Sequence, residues 1–343
     1  MNHHFSFHKM KPQDKGEGGH RMRATKDNFK VLEGMSFYKL LLETKALREP
    51  HWHANADELG YALKGTLLVS IYGNKNVKEA FVVKAGEAFF IPSGSLHSIE
   101  NVGDETAEVI LTFSHEEPED FGLSSVFGMF SDAVLGNTWN VEAEAFKEMK
   151  RSSKEESFIV KLEQGTPITK EMQYSSPYHF ALEATSPLIN NQGGTAKVAR
   201  GNVWEVLRRQ AVYSLRLTGQ GMREPHWHPE TRELGYVKEG KGRMSILSPS
   251  GKIDSYEMEK GDIYFIPKAY PHHIENLEGS DLHLLIFFDQ AMPQDIGFTG
   301  SIKSFSNEVL GEVMHCKKHL FENLPTYYED LFIVKKKNPV DGS

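Results

Sequence analysis

The sequence has a single cysteine, Cys316, so no disulfide can form within the chain. That fits a reducing compartment, and a cytoplasmic location is the expectation. No apolar run is long enough to span a bilayer as a helix, so a membrane is not an expected partner. The stretch from Met1 to Gly19 is polar and lacks the apolar core of a signal peptide. A basic face is missing too: 39 Lys and Arg against 47 Asp and Glu leave a net charge of −8. This excludes nucleic acid as the expected partner. The one basic cluster, Lys335 to Lys337, reads as a short exposed tail. The alternation of strand and helix that builds a parallel sheet is also absent. What remains is ordinary for a folded chain. Hydrophobic residues make up 39% and charged residues 25%, and 343 residues suffice for two separate cores.

The chain is a repeat of itself. Arg48-Glu-Pro-His-Trp-His53 recurs as Arg223-Glu-Pro-His-Trp-His228, an offset of 223 − 48 = 175 residues. The same offset carries Glu58 to Glu233, Gly65 to Gly240, Gly86 to Gly261, Pro92 to Pro267, His97 to His272 and Asn101 to Asn276. It also carries His4-Phe5 to His179-Phe180 and Val134-Leu-Gly136 to Val309-Leu-Gly311. Chance does not produce so many matches at one spacing; duplication does. Each copy reads as β. Leu67 to Tyr72, Ala88 to Ile91, Val109 to Phe113 and His283 to Phe288 are short and rich in β-branched and aromatic residues. Turn residues at Tyr72-Gly-Asn74, Pro92-Ser-Gly94 and Ser248-Pro-Ser-Gly251 punctuate them. Helices are expected at Glu142 to Lys150 and Asn307 to Leu320. The expected division is 1–150 and 177–343 for two barrel domains with helical tails, joined by a linker at 151–176.

Each copy carries a candidate metal site. Residues two apart on a strand share a face, so His51 and His53 can aim at one interior point while Trp52 turns away. Glu58 follows after a turn, and His97 lies beyond Pro92-Ser-Gly94 on a strand that can return to the same point. His226, His228, Glu233 and His272 repeat the set. Three imidazoles and one carboxylate suit Mn, Fe, Ni, Co or Zn. Asp57 competes with Glu58, but the second copy has Arg232 at that place, which favours Glu58 and Glu233. Arg48 and Arg223 lie three residues before the first histidine. Strand parity would turn them away from the site, and Pro50 and Pro225 can break that parity. They are therefore either surface arginines or guanidinium groups that clamp a substrate carboxylate. Phe89, Phe90, Tyr264, Phe265, Tyr61 and Tyr236 line either a core or a pocket.

At these residues the sequence resembles the cupin superfamily. Its first motif runs Gly-x5-His-x-His-x4-Glu-x6-Gly and is matched here up to Gly65 and Gly240, with Lys45 and Gln220 in place of the leading glycine. Its second motif is matched fully from Gly86 to Asn101, and from Gly261 to Asn276 with Ala269 for the middle glycine. The resemblance implies an all-β fold, two tandem jelly-roll barrels (double-stranded β-helices) with helical C-terminal extensions. More narrowly the chain resembles the bicupins of the oxalate-decarboxylase type. That implies Mn2+, one ion per barrel, a small carboxylate substrate, substrate binding by Arg48 and Arg223, and assembly as a homo-oligomer. The lid tetrapeptide Ser-Glu-Asn-Ser of those enzymes, whose glutamate donates a proton, is not present in Ser114 to Asp120 or in Asp289 to Asp295. The strand Leu284 to Phe288 also lacks the glutamate that the family places there. Glu116, Glu117 and Glu119 are the replacement candidates for the acid, against a plain reading of solvated charge. A dioxygenase, an oxidase and a non-catalytic metal-binding bicupin are the alternatives.

Overall fold

The structure, a computed structural model, describes residues 2–152 and 158–339. Its contacts divide the chain into two units. One is Met10–Ala184, and the other joins the N-terminal residues through Lys9 to those from Thr185 onward. Each unit is a pair of antiparallel sheets, the jelly-roll arrangement implied above.

In the first unit one sheet has seven strands, in the order His179–Phe180, Ala88–Ile91, Glu58–Lys64, Ala107–Phe113, Ser36–Leu42, Gly19–Ala24 and Asp14–Gly16. The other runs Asp120–Gly122, Ala46–His53, Leu96–Asn101, Thr66–Tyr72 and Lys78–Lys84, with Ile159–Lys161 also paired to Ala46–His53. The second unit repeats both sheets strand for strand. Alternation along the strands turns one face of each sheet inward. Leu40, Leu67, Val69, Ile71, Phe81, Val109 and Phe113 fill the first core, and Leu215, Met244, Ile246, Ile274, Leu284 and Phe288 the second. The six aromatic residues that left core and pocket open are all core: Tyr61, Phe89, Phe90, Tyr236, Tyr264 and Phe265 are at most 3% exposed.

The structure departs from the expected boundaries in two ways, each with a backbone reason. His4–Phe5 hydrogen-bonds to Ile263–Ile266 and so belongs to the second unit, while His179–Phe180 pairs with Ala88–Ile91 in the first. The expected linker is also not a bare connector, because Ile159–Lys161 pairs with the strand that carries the first ligands. Residues 153–157 of that stretch lie outside the described residues.

The helices are shorter than expected. The tail of the first copy holds helices at Leu123–Met129 and Asp132–Trp139, the second capped by the Ser131 hydroxyl, which accepts from Val134 N, and stopped by Asn140 in the left-handed region. Glu142 to Lys150 holds only a short 3-10 turn at Ala143–Phe146. In the second copy Asn307–Val313 and His319–Glu322 are separate helices, broken where His315 takes a φ of 51°. None of the described helices is long and apolar enough to cross a membrane. Two positions where the family's glycine is replaced keep a left-handed backbone, Lys45 at φ 62° and Ala269 at φ 61°. Each costs about 1 kcal/mol relative to glycine.

Candidate metal centres

The strand Ala46–His53 supplies two ligands from alternate positions on one face and bulges just before them. His97 pairs with His51, but Ile99 pairs with Arg48, so one extra residue is accommodated around Pro50. The strand of the second copy shifts in the same way between Arg223 and His226. The bulge cancels the parity that would send Arg48 and Arg223 to the outside. Both arginines are 2% exposed, so the reading of them as surface residues is excluded.

Four side chains converge in each barrel. His51, His53, Glu58 and His97 bring one ligand atom each to within 4.8 Å of the others, and so do His226, His228, Glu233 and His272. All eight are buried. In the first site Glu58 Oε2 lies 2.8 Å from His53 Nε2 and 3.3 Å from His97 Nε2. In the second, Glu233 Oε2 lies 2.9 Å from His228 Nε2 and 3.4 Å from His272 Nε2.

The outer ring nitrogens are fixed from behind. His51 Nδ1 donates to the Glu49 carbonyl at 2.8 Å and His97 Nδ1 to the Ser95 carbonyl at 2.9 Å. His226 and His272 donate likewise to the Glu224 and Tyr270 carbonyls, and His228 to the Gln294 carbonyl at 2.7 Å. A donor at Nδ1 leaves the Nε2 lone pair for an ion. Glu58 Oε1, His97 Nε2 and His272 Nε2 are buried without a hydrogen bond from the protein, an expensive condition that a bound cation removes. The donor set and these orphaned atoms fit a divalent transition metal.

The charges fit as well. Burial alone would push Glu58 up, but His97 and His53 outweigh it and hold the carboxyl at about 2. Burial pushes His51 well down and the Arg48 guanidinium adds to this; His226 is lowered in the same way by burial and Arg223. Both imidazoles are thus neutral and ready to ligate. Burial would lower His53 also, but Asp120 and Glu58 raise it to about 9.

Asp120 was not singled out in the sequence. It stands on the strand Asp120–Gly122, paired across from His53, with Gly122 opposite His51. Its Oδ1 lies 2.7 Å from His53 Nδ1, and neither atom is hydrogen-bonded elsewhere. Its Oδ2 accepts from Arg21 Nη1 at 2.8 Å and is 3.6 Å from Arg48 Nη2. Phe158 lies against both guanidinium groups, 4.2 Å from Arg21 and 4.1 Å from Arg48. In the second site Arg223 donates to Asp295 and to the Phe332 carbonyl and lies 3.6 Å from the Phe332 ring. The repeat did hold the signal for these residues. Asp120-Phe-Gly122 and Asp295-Ile-Gly297 match at the 175 offset, and Phe158-Ile-Val-Lys161 recurs as Phe332-Ile-Val-Lys335 one residue out of step.

The glutamates expected as acid candidates have other surroundings. Glu116 accepts from Gly34 N at 2.8 Å. Burial would raise its carboxyl, but backbone hydrogen bonds hold it below the usual range. Glu117 and Glu119 are exposed. His273 is half-buried, 3.7 Å from Glu275, and is not a ligand.

Comparison with known proteins places this arrangement. The profile of the family described as Cupin matches residues 5–147 and 180–318. An oxalate decarboxylase of Bacillus subtilis is 27% identical over 278 residues, which is 79% of this chain and 71% of that protein. An oxalate oxidase of Triticum aestivum is 36% identical over 88 residues, 25% of this chain and 39% of its own. Among solved structures, that of the B. subtilis oxalate decarboxylase at pH 4.6 superposes with a TM-score of 0.87, covering 98% of this chain and 88% of that one at 24% identity. Another structure of the same enzyme concerns its Mn(II) centres, with a TM-score of 0.87, 24% identity and coverage of 98% of this chain and 89% of that one.

Proposed function

The chain belongs to the cupin family, and from that premise we propose that it is a Mn-dependent enzyme acting on oxalate or another small carboxylate. The observation that carries the reading is the pair of buried three-histidine, one-glutamate sites, each with an arginine beside it. The oxalate decarboxylase relatives support the substrate class, and the Mn(II) centres of the B. subtilis enzyme support the metal. A cytoplasmic, homo-oligomeric protein is part of the same reading, the first resting on the lone Cys316 and the second on the family resemblance.

His51, His53, Glu58 and His97 would hold one ion, and His226, His228, Glu233 and His272 the other. When bound, such an ion supplies Lewis acidity and a one-electron couple. The protein's own part is electrostatic. Arg48 and Arg223 place buried positive charge beside His51 and His226, and we assign them the second charge of the substrate dicarboxylate. A substrate carboxylate there would compete with Asp120 or Asp295 for the guanidinium. The strands Asp120–Gly122 and Ile296–Gly297 lie against the ligand strands and keep water from that side.

The two outcomes for oxalate differ in one requirement. Decarboxylation to formate and carbon dioxide needs a proton at the carbon; oxidation to carbon dioxide with reduction of dioxygen to peroxide does not. A further carboxyl group against a ligand of the first site is that of Asp120, 2.7 Å from His53 Nδ1. Burial would raise it, but His53, Arg21 and Arg48 hold it far below the usual range, so it stays ionised and is no proton donor. Oxidation is therefore the second reading, favoured by this observation.

The test is elemental analysis of the purified protein with assay of formate, carbon dioxide and peroxide from oxalate, with and without dioxygen. Two Mn per chain with turnover support the proposal. His51→Ala with His53→Ala, and His226→Ala with His228→Ala, should each remove one of the two ions, and the pair that abolishes turnover identifies the working site. Two bound ions with none of the three products would overturn the substrate assignment.

A further inference from the structure

The two metal centres have the same ligands and different support. We propose that Asp120, oriented by Arg21, is a positioning residue that makes the first centre the stronger of the two, through a close anionic contact to the ligand His53 where the second centre has only a distant one. The inference rests on the reading of both centres as metal sites.

The difference traces to one residue of the repeat. Arg21 is buried on the strand Gly19–Ala24 and is anchored from behind by Asp14, which accepts from its Nε at 3.0 Å. Its Nη1 holds Asp120 Oδ2 at 2.8 Å, which leaves Oδ1 turned to His53 Nδ1 at 2.7 Å. At the 175 offset Arg21 becomes Ala196 and Asp14 becomes Ile189. With no second arginine, Asp295 falls onto Arg223 and its nearest oxygen is 3.8 Å from His228 Nδ1. His228 turns to the neutral Gln294 carbonyl instead. The outer partner of the second histidine is therefore a full negative charge in one barrel and a peptide dipole in the other.

The chemistry follows from general principles. A carboxylate behind a ligand imidazole raises its basicity and fixes its orientation, and losing such a partner commonly weakens metal binding by about 10–100-fold. More negative charge near the ion also favours its higher oxidation state. The first centre is therefore expected to hold Mn(II) more tightly and to have the lower potential.

The test uses the full chain, stripped by chelator and reloaded with Mn(II). Its readouts are chelator competition and the low-temperature EPR fine structure of the bound ions. The native protein should show two classes of site. Asp120→Asn should weaken the tighter class by about 10–100-fold and change one of the two Mn(II) spectra. Asp295→Asn, whose nearest oxygen stands 3.8 Å from His228 Nδ1, should change Mn(II) affinity at the second centre by less than Asp120→Asn changes the first. Arg21→Ala puts at this place the residue the second barrel carries as Ala196 and should move the first centre toward the second, with thermal unfolding as the check that the variant is folded. A chain emptied at the second site by the paired His226 and His228 substitutions assigns the classes. Two equivalent ions with affinity and spectrum indifferent to Asp120→Asn and Arg21→Ala would overturn this inference while leaving the metal sites intact. Failure to bind Mn(II) at all would overturn both.

Discussion

The two barrels of this chain kept their inner ligands and let the layer behind them diverge. In the first, Arg21 and Arg48 share Asp120, and Glu58 Oε1 has no hydrogen bond. In the second, Arg223 has Asp295 to itself, and Tyr264 donates to Glu233 Oε1 at 2.7 Å. The first aromatic counterpart is Phe89, which has no hydroxyl to offer. Ligand identity is constrained by the ion, which tolerates few donor sets. The outer layer only adjusts basicity and orientation, so duplicated sites can separate in strength without losing the metal.

The largest contrast is expected from the two arginines. Removing one partner of a buried ion pair leaves the other charge uncompensated, at about 3–5 kcal/mol when fully buried. Asp295 is partly exposed, which moderates the cost, yet Arg223 is its cationic partner. Arg223→Ala should therefore cost about 2–4 kcal/mol of stability. Arg48→Ala should cost less, about 1–2 kcal/mol, because Arg21 still holds Asp120. Denaturant unfolding of the metal-free proteins measures both. Equal losses would mean that Arg21 does not share the load, and the contrast between the barrels would collapse.

This contrast could not be read from the ligand motifs. The fold and all eight ligands were legible, because the duplication repeats the motifs at one offset and the ion dictates residue type and spacing. Arg48 and Arg223 were visible as residues but not as to direction, since a bulge at Pro50 and Pro225 decides their face. Asp120 and Arg21 lie on strands of different sheets and Phe158 just before a third strand, and only the packing of the two sheets brings them together. The first helical tail was misplaced because composition favours a helix in Glu142 to Lys150, whereas the Ser131 cap and Asn140 set the helix earlier. The domain boundary was missed for a similar reason. A two-residue strand such as His4–Phe5 carries no pattern that names its partner.

A smaller contrast lies at the carboxylate ligands. The Tyr264 ring lies against Gly235, where a Cβ would stand 2.0 Å from the ring, and this places the hydroxyl on Glu233. Phe89 packs on Gly60 in the same manner. Tyr264→Phe should cost about 1.5–3 kcal/mol, the range for a hydrogen bond to a charged group, and should alter the Mn(II) spectrum of the second centre alone. The reciprocal Phe89→Tyr should bring a hydroxyl to Glu58 Oε1 and make the first centre resemble the second. A Phe89→Tyr protein with both spectra unchanged would show that the tyrosine does not tune the ligand.

The smallest effect is expected at the edges, where each barrel is completed by a two-residue strand pinned by histidine and carboxylate. Glu87 Oε2 lies 2.9 Å from His179 Nε2 in the first barrel, whereas Asp262 meets both His4 at 2.9 Å and His8 at 3.0 Å in the second. Burial would raise both carboxyls, but the histidine contacts and a backbone donor hold each below its ordinary value. A depressed folded pKa stabilises the fold above the unfolded value and is lost as pH falls through the folded one. The carboxylates' share of this stability is thus present above the ordinary carboxylate range and disappears in acid below it. The Glu87–His179 pair is partly exposed, so Glu87→Gln should cost under about 1 kcal/mol at pH 7. Asp262→Asn should cost more, since two histidines face it. Both differences from native should vanish in acid, measured as urea midpoints at the two pH values. If the Glu87→Gln deficit persisted in acid, the strand would be held by its backbone hydrogen bonds rather than by charge, and the edges of the two barrels would be equivalent after all.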